Sequence, residues 1–336
     1  MKDRAAFVMP VKLRGEEVEL RLFREAVDSI KNQTDKNWIL IMVDDFSDDE
    51  NVSRALDGIK NELGERAHLI RLAENVGAGQ ARNVGIRYAE EIGAPFIVFN
   101  DSDDVSHPRR LELVRKTFAE DAAANVIYMS FDVIDEHNRP TPMEEICPSV
   151  REIILGHRKD VVEGENAWAQ IAAKKGYTNL TSCTAVRTRL AVAEPFPKRS
   201  VSEDSHTWFR YGAHPGKFVF LREIKNHYRI RSGTQSRSRS NNDDFYEQKS
   251  AVDRAGFEAA AAIARGLGRI TAEEETEIRA RFYVRLALSM LYGDGDACAE
   301  KLMRSAAESL PEITREAVEA LDCDEAYREK LRNMIA

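Results

Sequence analysis

The chain has 336 residues, 43% of them hydrophobic and 32% charged, with a formal net charge of −8, a length and apolar fraction suited to a sizeable core in one large or two modest domains. The acidic balance argues against a general nucleic-acid binder, and the four cysteines (Cys147, Cys183, Cys298, Cys323) form no Cys-x-x-Cys pair that would indicate structural zinc or a disulfide framework. No stretch approaches the ~20 apolar residues of a membrane span, and Met1-Lys2-Asp3-Arg4 leads directly into a short apolar run without a signal-peptide core, so the expectation is reduced thiols and a cytoplasmic location, soluble or peripheral at the inner membrane face.

In chain order, residues 5–11 read as a strand containing Pro10, and 18–31 as a helix with Leu22, Ala26 and Ile30 on one face. Residues 38–43 form an apolar run ending in Asp44-Asp45, 52–63 a helix, 68–72 a short strand and 79–91 a helix. Residues 96–100 are the next strand, 109–123 the next helix, and 126–133 a further strand. This alternation predicts right-handed crossovers and a mostly parallel sheet. The segment 136–175 is less regular and suits acceptor-side loops. From Ser236 to Asn242 the chain turns polar and reads as a linker or a closing flap. Beyond it, residues 245–267, 271–292, 297–309, 312–321 and 325–335 read as helices, with Thr271 and Asp296 as N-caps and Pro311 in a first turn. The predicted organisation is therefore an α/β domain over 1–238 and an all-α region over 239–336.

The most informative motif is Phe96-Ile97-Val98-Phe99-Asn100-Asp101-Ser102-Asp103-Asp104. A buried strand delivers three carboxylates at its C-terminal end, where open α/β sheets bind ligands. Carboxylates this close raise one another's pKa unless a cation compensates, and hard oxygen ligands at such a place suit Mg²⁺ or Mn²⁺. Taken alone, the motif fits a solvated acidic loop equally well. A second acidic strand end is Val43-Asp44-Asp45-Phe46-Ser47-Asp48-Asp49. Between the two lies Asn75-Val76-Gly77-Ala78-Gly79-Gln80-Ala81-Arg82-Asn83, a glycine-bearing turn entering a helix, with Arg82 one turn in, placed to reach a phosphate or a base.

Together these segments resemble family 2 glycosyltransferases, which have the GT-A fold. The resemblance rests on Val8-Met9-Pro10-Val11, on Ser29-Ile30-Lys31-Asn32-Gln33-Thr34, and on the Val43–Asp49 and Asn75–Asn83 patterns. It continues through Asp101–Asp104 with Pro108 and Arg109 beyond, then Glu203-Asp204 with Arg210, and finally Tyr228-Arg229-Ile230-Arg231. It spans about residues 5–236 and leaves the helical tail unaddressed. It implies a Rossmann-like, nucleotide-diphospho-sugar transferase domain that moves a sugar, most commonly from UDP, to an acceptor hydroxyl with inversion. A carbohydrate or small-molecule acceptor, as in surface polysaccharide synthesis, and Mn²⁺ or Mg²⁺ as cofactor are the corresponding expectations.

Residue by residue, the resemblance gives Asp45 the donor base, supported by Asp44 and Ser47, with Pro10 and Val11 lining the base pocket. Asp101, Ser102 and Asp104 fall to the ribose or sugar, Asp103 to the metal, and Arg82 to the base or diphosphate. Arg229 and Arg231 would hold the diphosphate, Asp204 would act as general base beside Glu203, and His227 is a further candidate near the metal. Glu203 and Asp204 also suit a helix first turn. His107 and His206 suit surface positions and Trp208 the core, while Trp168 and Tyr177 are candidates for an acceptor platform. Two other readings remain open. Asp101-Ser102-Asp103-Asp104-Val105 matches the signature of a haloacid-dehalogenase phosphatase, with Asp101 as nucleophile. A non-catalytic sugar-nucleotide-binding scaffold is the second. The tail helices are candidates for a homodimer contact or for shaping the acceptor cleft.

Overall fold

The computed structural model describes residues 3–175, 178–199, 201–231, 244–293 and 295–335. Its centre is a seven-stranded sheet: β1 (Ala5–Val11), β2 (Trp38–Asp44), β3 (Ala67–Arg71), β4 (Phe96–Phe99), β5 (Ala124–Ile134), β6 (Thr184–Arg187) and β7 (Lys217–Arg229). The helices between the first strands are α1 (Glu17–Lys31), α2 (Glu50–Leu63), α3 (Ala78–Glu91) and α4 (Arg110–Glu120). β1 and β2 are buried at every position, as expected of parallel strands covered on both faces, and hence read as continuous apolar runs.

The spatial order is β3-β2-β1-β4-β6-β5-β7. β1 pairs in parallel with β2 on one side and with β4 on the other, and β2 pairs in parallel with β3. The chain thus builds outward to β3, then returns past β1 to lay down β4. The order reverses between β1 and β4, and the loops leaving their carboxyl ends diverge to open a crevice there. β6 then adds antiparallel to both β4 and β5. This is the mostly parallel α/β sheet that the alternation predicts.

By contact density the chain divides into two units. One comprises Met1–Ile146, Asn179–Asp204 and Phe218–Ser236; the other comprises Cys147–Thr178, Ser205–Lys217 and Arg237–Ala336. The second unit therefore draws in two segments ahead of the expected boundary at 238. The reason is apolar. Trp168 packs at 5.7 Å from Phe257, and Phe209 lies 6.3 Å from Phe257 and 5.4 Å from Phe282. Phe257 and Phe282 themselves stack at 4.8 Å. Gly212 lets its helix approach, since a Cβ there would stand 2.5 Å from the Trp168 backbone nitrogen. Trp168 is thus fully buried core, not an exposed acceptor platform, and Trp208 is buried as expected.

The tail is helical as read: Phe245–Gly266, Ala272–Leu291, Asp296–Ser309, Pro311–Glu319 and Glu325–Asn333. Thr271 closes a capping box with Glu274, and Pro311 opens its helix. Gly295 rather than Asp296 holds the N-cap position. The 136–175 stretch contains a twelve-residue helix, Pro148–Lys159, that the sequence reading does not anticipate. No described helix is long and apolar enough to cross a membrane. Tyr177 and the 232–243 segment lie outside the described residues.

Candidate active site

The first wall of the crevice is the paired ends of β1 and β2. Pro10 and Val11 lie beside Val43 and Asp44, and the Val11 carbonyl accepts from the Asp45 N–H at 2.8 Å. One Asp44 carboxylate oxygen accepts from the Ser47 N–H at 2.9 Å, and the Ser47 hydroxyl accepts from the Leu13 N–H at 3.1 Å. Asp44 and Ser47 therefore brace the turn. Asp45 reaches across it, its two carboxylate oxygens accepting from the Val76 and Gly77 N–H groups at 2.7 and 2.9 Å. Gly77, at φ +87°, is the N-cap of α3, a conformation glycine adopts without penalty. A carboxylate has about four lone-pair sites, so Asp45 keeps acceptor capacity while anchoring the turn.

Phe46, between Asp45 and Ser47, was not singled out by the sequence. It is left-handed at φ +62° and 46% exposed, with the Lys12 ammonium 5.5 Å from its ring centroid and bonded to its carbonyl. A bulky residue in that conformation stores backbone strain. The signal available beforehand was an aromatic flanked by turn residues, which alone does not indicate exposure.

The second wall is the acid loop after β4, and it is held from beneath. The Asn100 amide donates to the Asp101 and Asp104 carbonyls at 2.9 and 3.1 Å, while its oxygen accepts from the Ser106 hydroxyl at 2.7 Å. Arg110, fully buried, donates to the Asn100 and Ser106 oxygens and to the Phe99 and Thr184 carbonyls. Burial pulls its pKa down to about 10. Arg109, the arginine of the motif, is instead exposed and paired with Glu112. The end of α1 grips the same loop. The Ser29 hydroxyl accepts from the Ser106 N–H, and the Gln33 amide donates to the His107 carbonyl while accepting from the Leu111 N–H.

Asp104 is buried and accepts from the Arg229 N–H at 2.8 Å. Burial first, then repulsion from Asp103 and Asp101, pushes its pKa well above the usual carboxylate range, against that N–H and the Ser182 hydroxyl. Asp101, Ser102 and Asp103 are half-buried. Three hard-oxygen carboxylates crowded to the point of mutual repulsion fit a divalent cation by the chemistry of the donor set. Among the described residues, no three His, Cys, Asp or Glu side chains are arranged to hold a metal by themselves.

Arg82 lies between the walls with its side chain 6% exposed, 2.7 Å from Asp101 and 3.3 Å from Glu203. Glu203 and Asp204 open the helix Glu203–Ala213. They therefore occupy a first turn, as acids there prefer, and Glu203 meets the same arginine; burial works to lower the Arg82 pKa, and Asp101, Glu203 and Asp204 together raise it above its usual value.

Two of the expected cations are engaged by protein acceptors. The Arg229 side chain is 0% exposed and donates to the Asp103 and Asp135 carbonyls and to Glu25. Carbonyl and carboxylate acceptors already claim its fork, so it is a strut joining β7 to the acid loop, a correction to its expected diphosphate role. Arg231 pairs with Glu16 and Glu19. His227 is exposed and pairs through its main chain with Val105. The His107 ring accepts from the Arg109 N–H, and His206 packs against Gly256.

The family model described as glycosyl transferase family 2 matches residues 7–178. An uncharacterized glycosyltransferase of Methanocaldococcus jannaschii is 29% identical over 119 residues, 35% of this chain and 39% of the relative. A putative teichuronic acid biosynthesis glycosyltransferase of Bacillus subtilis is 34% identical over 88 residues, 26% of this chain and 33% of the relative. The chain thus spans well under half the length of these curated relatives. Among solved structures, S. aureus TarS 1-349 in complex with UDP-GlcNAc aligns with a TM-score of 0.63 at 16% identity, covering 99% of this chain and 89% of that one. The Pyrobaculum calidifontis mannosyltransferase in complex with GDP-Man and Mn²⁺ aligns at 0.57 and 16% identity, covering 100% of this chain and 86% of that one. At this identity the likeness is one of fold.

Proposed function

The chain belongs to glycosyltransferase family 2, and from that premise we propose that it transfers a sugar from a nucleotide-diphosphate donor to an acceptor hydroxyl by a single, inverting displacement. The observation that carries this reading is that one buried cation, Arg82, contacts both Asp101 of the acid loop and Glu203 of the acid pair. Donor-side and acceptor-side carboxylates therefore belong to one site. Family membership sets aside the phosphatase reading, and nothing in the geometry favours a scaffold role.

In this reading the donor base lies against Pro10 and Val11 and hydrogen-bonds Asp45. The sugar or ribose meets Asp101 and Ser102, while Asp104, expected beside them, is buried and supports the loop through the Arg229 N–H. Asp103 would hold Mn²⁺ or Mg²⁺, which when bound neutralises charge developing on the leaving diphosphate. Asp204 accepts the acceptor hydroxyl's proton as the new bond forms. A UDP-sugar is the first donor to test and a GDP-sugar the second, because fold neighbours were solved with UDP-GlcNAc and with GDP-Man and Mn²⁺. A glycan or glycoconjugate hydroxyl is the proposed acceptor class.

The test is donor turnover with Mn²⁺ in the wild type, Asp103→Ala and Asp204→Asn. Removing a general base typically costs about 10²–10⁴-fold, and a loss of that size is expected for Asp204→Asn. Wild-type rates in both variants would refute the site assignment.

A further inference from the structure

The turn and helix from Asn75 to Asn83 look at first like a phosphate cradle, with Arg82 as the hand that meets the diphosphate. The geometry says otherwise. One terminal nitrogen of Arg82 donates to Asp101 at 2.7 Å and the other to Glu203 at 3.3 Å. A guanidinium is a rigid planar fork, so engaging two carboxylates at once fixes their separation. The fork is itself held. Its central carbon lies over Phe196, 5.6 Å from the ring centroid. Phe196 is locked by the residue next to Arg82, its N–H donating to the Asn83 oxygen and its carbonyl accepting from the Asn83 amide, both at 2.8 Å. Gln80 adds a third bond to the same carbonyl at 3.0 Å. Phe196 also meets Phe99, the last residue of β4, edge to face at 5.6 Å.

Gly79 completes the arrangement. A Cβ there would stand 3.0 Å from the Glu203 side chain and 3.3 Å from that of Phe196, so a larger residue would press on both. Gly79, Gln80, Arg82 and Asn83 thus converge on Asp101, Phe196 and Glu203. Two of the five Arg82 N–H donors are thus spent on carboxylates within a buried setting.

Resting on the transfer reading above, we propose that Arg82 is a positioning residue: it sets the acid loop and the Glu203–Asp204 pair at a fixed separation and makes no contact with the donor. Glu203 is its counterpart, holding the first turn that presents Asp204.

The test compares Arg82→Lys, which keeps the charge but loses the fork, with Glu203→Gln, which keeps the shape but loses the charge, and with the double variant. Turnover is measured with UDP-GlcNAc or GDP-mannose, whichever the wild type uses, with Mn²⁺. Binding of UDP or GDP with Mn²⁺ is measured by calorimetry, and folding is checked by thermal melting. Misplacement by about 1 Å can cost about 10²-fold in rate, so each single variant is expected to lose about that much kcat, with nucleotide affinity unchanged. The double variant should lose no more than the worse single one, because both break one linkage. Nucleotide affinity about tenfold weaker in Arg82→Lys with kcat retained, the signature of lost uniform binding, would overturn the proposal in favour of direct contact. Multiplying losses would overturn it by showing two independent roles, and unchanged kinetics would overturn it outright. A wild type that turns over no donor defeats the transfer reading and this inference with it, whereas an active wild type with the wrong variant pattern defeats this inference alone.

Discussion

At the scale of single residues, burial decides which groups of the site region are chemically available. Cys183 sits beside Arg110 and Asp104, and burial pushes its thiol up to about 12, with Arg110 pulling the other way. The thiolate is the reactive form, so iodoacetamide at pH 8 should leave Cys183 unlabelled in the folded protein and label it in urea, read by mass spectrometry of its peptide. Arg110 illustrates the opposite case, a buried cation retained because four oxygens surround it. Arg110→Ala leaves those acceptors in a dry site, where each unsatisfied group costs about 1–3 kcal/mol. A loss of about 3 kcal/mol or more is expected, measured by urea unfolding. The motif pattern pointed one residue away, to Arg109, because sequence spacing does not reveal which of two adjacent arginines turns inward at the start of a helix.

At the scale of elements, the site is aligned by close approach of α3 to the sheet. A Cβ at Gly85 would fall 2.5 Å from a Val8 methyl on β1. Overpacking of this kind typically costs about 1–3 kcal/mol, so Gly85→Ala should lower the melting temperature. Because α3 carries Arg82, that variant should also reduce turnover at temperatures where it remains folded. The end of α1 acts likewise. The Ser-Ile-x-x-Gln-Thr pattern marks a grip on the acid loop through Ser29 and Gln33. The sequence revealed that the pattern was there, but its purpose became readable only when residues 74–78 positions apart were brought into contact. β6 and β7 escaped the sequence reading for related reasons. β6 has four residues, too few for a periodicity to register. β7 has its alternation interrupted by two consecutive exposed residues, Arg222 and Glu223.

At the scale of the whole molecule, the helical unit is assembled from three stretches of chain. Ending the chain near residue 238 would strip Phe257 and Phe282 from Trp168 and Phe209. The truncated protein is therefore expected to expose those rings and aggregate, seen as light scattering and dye binding. The same unit contains a pH-sensitive group. Burial pulls His157 below its usual value, while its hydrogen bond to the Thr178 carbonyl works against that shift. With a depressed folded pKa, the unfolded chain takes up the proton first as pH falls through about 6.5. The contribution of neutral His157 to stability is thus complete above that pH and is lost below it. Melting temperature should fall between pH 7 and pH 5, and His157→Gln should flatten that slope even where it lowers the melting temperature at pH 7.

The sequence by itself determined the alternation of strands and helices, the all-helical tail, the two acidic strand ends and the family they resemble. Those are local properties: apolar runs set by burial on both faces, and short motifs whose residues are neighbours in the chain. Tertiary structure decided which side chains meet. It placed Arg82 between Asp101 and Glu203, turned Arg229 from a candidate phosphate ligand into a buried strut, put Trp168 in a core, and divided the chain into units that cross the linear boundary. Such contacts depend on register, close approach and competition for a limited set of buried acceptors, and none of these is carried by a segment's own composition.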